Sequence, residues 1–176
     1  MTLEQRVVLA PGDGSLGPLL RVADDRLEPG AGYGRHEHRA VDVVAVVLSG
    51  TLHHCWDEDV PMAAGDVAVL RAGAGLEHDE IAGDGGARVL QCYLRTAAPD
   101  AAPAHEVHRA ASGWLDLGRD DARLWIGRAP VTVPAGFLLL RGSDSVLVEQ
   151  QPGRVLDEPG VALVWRLDTD RPAWAV

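Results

Sequence analysis

Residues 36–48, HEHRAVDVVAVVL, and residues 76–80, LEHDE, carry the reading that decides the fold. Each holds two metal-capable side chains two positions apart: His36 and His38 in the first, His78 and Glu80 in the second. Successive side chains of a β-strand point to opposite faces, so residues two apart share a face with roughly 6.6 Å of rise between them. Each pair can therefore aim at one point. If the two segments pair in a sheet or barrel, three imidazoles and a carboxylate converge, a donor set suited to a divalent transition metal.

Outward from these two segments the chain reads as all-β. Short apolar runs alternate with turn residues at the spacing of a β-sandwich or barrel, and no long amphipathic helical period appears. Strands are expected over Leu19 to Val22, Val41 to Leu48, Val67 to Leu70, Arg88 to Leu94, Leu124 to Ile126, Phe137 to Leu140, Val146 to Glu149 and Val161 to Leu167. Turn signals fall between them at Pro29-Gly30, Ser49-Gly50, Ala64-Gly65-Asp66, Gly73 to Gly75 and Gly83-Asp84-Gly85-Gly86. The alanine- and proline-rich segment 97–105 has no strand period and reads as a linker. It divides an N-terminal metal-binding unit, 1–96, from a C-terminal β unit, 106–176.

The chain has 176 residues and a formal net charge of −10. That length buries a good core but rarely makes two large independent domains. The acidic balance opposes a phosphate backbone and an anionic membrane, so neither nucleic acid nor membrane is expected as a partner. No apolar stretch is long enough to span a bilayer, and the first residues, MTLEQRVVLA, lack the basic and apolar regions of a signal peptide. A cytoplasmic location is expected. All 16 basic residues are arginine, a pattern of coding bias more than of physical role. The two cysteines, Cys55 and Cys92, show no zinc or C-x-x-C spacing and read as buried free thiols.

Several separated motifs between Gly17 and Arg95 occur in a familiar order. These are GPLLRVADD, then PGAGYGRHEHRAVD, then Gly50 with His54, Ala64-Gly65-Asp66, and AGAGLEHDE. Together they resemble the N-terminal half of the pirin family of the cupin superfamily. That resemblance implies a cupin barrel, a double-stranded β-helix of jelly-roll type, in a bicupin chain whose second barrel is reduced and free of metal. It implies His36, His38, His78 and Glu80 as ligands of a metal that is usually iron(II), with Ni, Cu, Mn or Zn able to replace it. It also implies an aromatic or enolic small molecule and dioxygen as substrates of a quercetin 2,3-dioxygenase-like enzyme. The competing implication is a redox-sensing regulatory protein that binds a protein partner through its metal state.

The sequence departs from the family pattern at several places. Glu37 replaces the proline between the two histidines, Asp42 stands for a longer acid, Trp56 takes the place of an acidic residue after the hairpin histidine His54, and the hairpin itself is shortened. Pocket shape is thus the least transferable feature. His54, Arg39 and Asp42 are candidates to line the pocket, with packing for His54 and an Arg39–Asp42 ion pair as the plainer alternatives. His53, adjacent to His54, must face the other side of the strand. His105 and His108 lack acid or cysteine partners at ligand spacing and are expected to be exposed. Trp114, Trp125, Trp165 and Trp174 are explained by packing in the second half. Glu80 is the candidate base as well as a ligand.

Overall fold

Fifteen strands and no helix make up the described residues, as the alternation of apolar runs and turns leads one to expect. The structure, a computed structural model, describes residues 2–141 and 146–170. No helix among them is long and apolar enough to cross a membrane. The chain divides into two units, Met1–Ala10 with Leu19–Ala110, and Pro11–Pro18 with Ala111–Val176.

The first unit contains β1 (Leu3–Leu9), β2 (Leu19–Leu27), β3 (His36–His38), β4 (Val41–Cys55), β5 (Asp59–Ala63), β6 (Val67–Arg71), β7 (Leu76–Arg95) and β8 (Ala104–His108). They form an eight-stranded antiparallel sheet with the order β1-β2-β7-β4-β6-β8, β3 pairing with β7 and β5 with β4. β4 and β7 are its axis. Val43 to Leu48 are all buried, which accounts for the unbroken apolar run: both faces of this strand are covered.

Two expected turns fall inside strands instead. Ser49-Gly50 belongs to β4 and Gly83 to Gly86 to β7, facing each other where the register of the two strands shifts. Gly50 has φ +75°, and a Cβ there would lie 2.0 Å from the Gly86 carbonyl oxygen. The glycines thus make a corner in a continuing ladder, and both strands bend across it. Val47, Leu52, Ala82, Ala87 and Val89 from the two sides of the corner meet in one apolar cluster with Leu27 and Met62.

The expected boundary also moves. Segment 97–105 does not lead out of the first unit, because β8 pairs with β6 and sets His105 opposite Leu70. Arg109 and the Ala110 N–H then bond to the Asp66 carboxylate, so the first unit runs to Ala110. At the other end, Pro11–Pro18 belongs to the second unit, where Gly17 (φ +58°) packs so closely on Asp168 that a Cβ would meet its carbonyl oxygen at 2.1 Å.

The second unit contains β9 (Gly113–Leu115), β10 (Ala122–Arg128), β11 (Val131–Val133), β12 (Gly136–Arg141), β13 (Val146–Gln151), β14 (Arg154–Leu156) and β15 (Val161–Leu167). Five of them form a sheet of order β13-β12-β15-β10-β9, and β11 pairs with β14. Trp165 is fully buried, and the Arg123 and Arg166 guanidinium groups lie over the Trp114 ring, 5.4 and 4.6 Å from its centroid, so both tryptophans serve packing as expected. Trp125 packs against the cluster of Val133, Leu138 and Val164, while Trp174 lies outside the described residues.

Candidate metal centre

Three strands bring the histidines together. β3 pairs with the start of β7 and sets His36 opposite His78. β4 pairs with the following residues of β7 and sets His54 opposite Glu80. The segment ahead of β3 is tied to β7 too: the Tyr33 N–H donates to the Glu80 carbonyl oxygen at 3.1 Å and the Gly30 N–H to that of Ala82 at 3.0 Å. Gly32 sits on this rung, where a Cβ would lie 2.7 Å from the Glu80 carbonyl oxygen. Only glycine lets the two backbones approach that closely.

Among the described residues, the metal-capable groups form two overlapping triads. His36, His38 and His78 make one; His54, His78 and Glu80 make the other, with donor atoms in each within 4.8 Å. His78 belongs to both. Its ring centroid lies 4.5 Å from that of His36, 4.9 Å from that of His38 and 4.7 Å from that of His54. The other three side chains singled out by the two i, i+2 motifs, His36, His38 and Glu80, therefore gather around His78, and His54 joins them.

The hydrogen bonds orient these rings. His36 Nδ1 lies 2.7 Å from the Gly34 carbonyl oxygen, so Nδ1 carries the proton and Nε2 turns its lone pair inward. There it meets His38 Nε2 at 3.0 Å. His78 Nδ1 lies 3.1 Å from His54 Nε2, while His78 Nε2 is buried without a hydrogen-bond partner. A buried nitrogen left unpaired costs free energy, and a cation is the partner that a neutral imidazole lone pair accepts. The residues fit a divalent transition metal.

Electrostatics agree with that chemistry. Burial, reinforced by the neighbouring imidazoles, lowers the pKa of His38 to about 4, of His54 to about 3 and of His78 to about 2. These rings are neutral at pH 7 and keep lone pairs to offer. Burial pushes the Glu80 carboxyl up to about 7, and Gln91 pulls against that shift. The Gln91 Nε2 donates to both Glu80 oxygens, at 3.0 and 2.9 Å. Tyr33 and Tyr93 rise as well, Tyr93 to about 12, both chiefly through burial and next through the Glu80 charge.

The remaining candidates divide. Arg39 is exposed on the turn after β3, and Asp42 is buried near the start of β4, opposite Arg71. His53 faces away from the cluster and pairs with Asp59 at 2.9 Å, as its parity requires. His105 and His108 are not exposed: β8 holds both in partly buried positions. His105 stacks on His54 with centroids 4.3 Å apart and planes at 16°, and His108 lies 3.6 Å from Glu106. Gln91 was missed as well, although a lone amide in the apolar run ARVLQCYL is the kind of buried polar residue that asks for a partner. Both cysteines are free; Cys92 is buried, and burial raises its thiol to about 12, whereas Cys55 is only partly buried.

The pirin family pattern matches residues 11–94, the stretch that supplies all of the cluster except His105. This stretch belongs to the pirin family. It is 36% identical over 63 residues to the quercetin 2,3-dioxygenase of Escherichia coli K12, an alignment covering 34% of this chain and 26% of that relative. The match thus spans about a quarter of the curated relative's length. The pirin fold extends further than the sequence match. The crystal structure of the bacterial pirin YhhW from Escherichia coli, in complex with nickel(II), superimposes with a TM-score of 0.70 at 17% identity, covering 94% of this chain and 91% of that one. Quercetin 2,3-dioxygenase from Acinetobacter baumannii gives 0.57 at 17% identity, covering 96% and 82%. The chain thus has the all-β pirin fold of the cupin superfamily.

Proposed function

We propose that this chain is a metal-dependent cupin oxygenase in which His36, His38 and His78 are the fixed ligands of a divalent metal and Glu80 is the fourth, exchangeable one. The observation that carries the reading is His78, which stands at the overlap of the two triads with a buried Nε2 that has no hydrogen-bond partner. Nickel(II) in the YhhW pirin supports a divalent ion, and iron(II) is our choice among the metals this donor set accepts. The bicupin division, with the second unit free of metal, is part of the same proposal. So is a cytoplasmic location, which two free thiols favour.

Bound there, a divalent metal supplies Lewis acidity toward an enolic or phenolic oxygen and a place for dioxygen. Neutral imidazoles at His36, His38 and His78 leave most of the ion's charge to draw in an anionic oxygen. Glu80, buried beside His78, is placed to take the proton from that hydroxyl, and Gln91 steadies the carboxylate while it does so. The named activity of the curated relatives favours a flavonol, or another aromatic with an enolic hydroxyl, as the substrate.

Oxygen uptake by the iron-loaded chain with quercetin tests the proposal. Substrate-dependent consumption that disappears in Glu80→Gln, with the metal retained, is expected. Full activity in that variant rules out the base, and metal binding with no uptake from any enolic substrate turns the reading to a redox-sensing role.

A further inference from the structure

Gln91 is completely buried and lies on β7 opposite two small residues, Ala45 of β4 and Ala23 of β2. These alanines leave room for a long side chain on that face, and the room is filled by an amide where a leucine would pack without polar cost. The amide is turned for Glu80. A carboxylate accepts only, so the two oxygens require the NH2 end of Gln91, whose Nε2 lies 2.9 and 3.0 Å from them. In that orientation the Gln91 carbonyl oxygen has no hydrogen-bond partner. A glutamine kept for packing alone would satisfy both ends. Here one end is left unsatisfied so that the other can hold a carboxylate which is itself almost wholly buried.

We propose that Gln91 is the positioning residue of the centre, acting on the metal only through Glu80. It rests on the metal-centre reading above. Glu80 shares its triad with His54 and His78, and the amide fixes the carboxylate at that spot against rotation away from the cluster. Without the amide, a buried carboxylate loses its donor and no longer presents an oxygen at the fixed position. The role does not depend on which metal binds, so it can be read with a probe ion and no substrate.

The test is cobalt(II) titration of the full chain, read by competition with a chelating dye and by the visible cobalt spectrum. It compares wild type, Gln91→Met, Gln91→Asn, Glu80→Gln and the Gln91→Met/Glu80→Gln double variant. The expected result is a Kd raised about 10–100-fold in Gln91→Met, with a changed cobalt band. Gln91→Asn, whose amide is drawn back by one carbon, should show the same loss. In the Glu80→Gln background, Gln91→Met should change the Kd by less than about twofold, because the group it acts through is gone. An unchanged Kd and spectrum in Gln91→Met, or an equal loss in both backgrounds, would overturn the proposal. Failure of both Gln91 variants to fold before metal is added would overturn it too, by making the glutamine structural. Wild-type protein that takes up no stoichiometric cobalt would overturn the metal-centre reading along with it, and that outcome is distinguishable from the others.

Discussion

Gln91 and Glu80 lie eleven residues apart on the same strand, yet the amide of one donates to both carboxylate oxygens of the other, at 2.9 and 3.0 Å. In a regular strand an odd separation puts two side chains on opposite faces, and eleven residues of rise carry them roughly 36 Å apart. The corner at Gly83 to Gly86 cancels both effects. Between the Val47–Val89 and Leu52–Ala82 pairs the register with β4 shifts twice, and on each strand the inward positions change from odd to even residue numbers. His54 and Glu80 are thereby delivered to the same side as Gln91.

The corner is therefore a determinant of the site as well as of the fold. Gly50→Ala would set a Cβ 2.0 Å from the Gly86 carbonyl oxygen at a φ of +75°. A loss of about 1–3 kcal/mol in chemical unfolding is expected, together with weaker metal binding. Gly85→Ala, where a Cβ meets nothing within 4 Å, should leave both nearly unchanged.

His54 should matter to the metal without binding it. Its Nε2 lies 3.1 Å from His78 Nδ1, so it fixes the ring whose other nitrogen is buried without a hydrogen-bond partner. His54→Ala is expected to weaken metal binding about 10–100-fold by dye competition. His53→Ala, on the outer side and paired with Asp59, should leave the affinity as it is.

A buried ion pair gives a stability test away from the site. The Arg88 guanidinium meets both Asp24 oxygens, Nε at 2.7 Å and Nη2 at 2.6 Å, with both side chains almost wholly covered. Asp24→Ala removes the carboxylate that both guanidinium nitrogens meet and should cost about 3–5 kcal/mol in urea unfolding. Asp24→Leu combined with Arg88→Met should recover most of that loss, since the pair's net contribution is small compared with the cost of breaking it.

Asp66 provides a pH dependence of known sign. Burial raises its carboxyl pKa, but the Ala63 and Ala110 N–H groups and the Arg109 guanidinium outweigh that and hold it below the ordinary 3.8. A folded pKa below the unfolded one means that the stabilisation is fully present above the unfolded value and is lost as pH falls through the folded value. The difference in urea midpoint between wild type and Asp66→Asn should be constant from pH 7 to about 5 and shrink below pH 4. A difference that grows on acidification would contradict the assignment.

Much of this was legible in the chain itself. The i, i+2 spacing of His36 with His38 and of His78 with Glu80 implied a shared strand face, and the structure pairs those strands directly. Strand parity also placed His53 outside. The corner was not legible, because glycine clusters such as Gly83 to Gly86 signal a chain reversal and an in-strand bend equally well. Period-2 reasoning fails across such a corner, which is why Gln91 could not be assigned to the face of Glu80. β8 was hidden for a different reason: the prolines and alanines before it carry no strand period, and its burial comes from pairing with β6.

The most direct test of the central claim is the metal-to-protein ratio, by elemental mass spectrometry, of wild type and His78→Ala purified side by side. His78 is the residue common to both triads. The account predicts about one divalent metal per chain in wild type and almost none in His78→Ala, with the fold intact by circular dichroism. Equal metal in the two proteins, or no stoichiometric metal in wild type after reconstitution with iron(II), would contradict it.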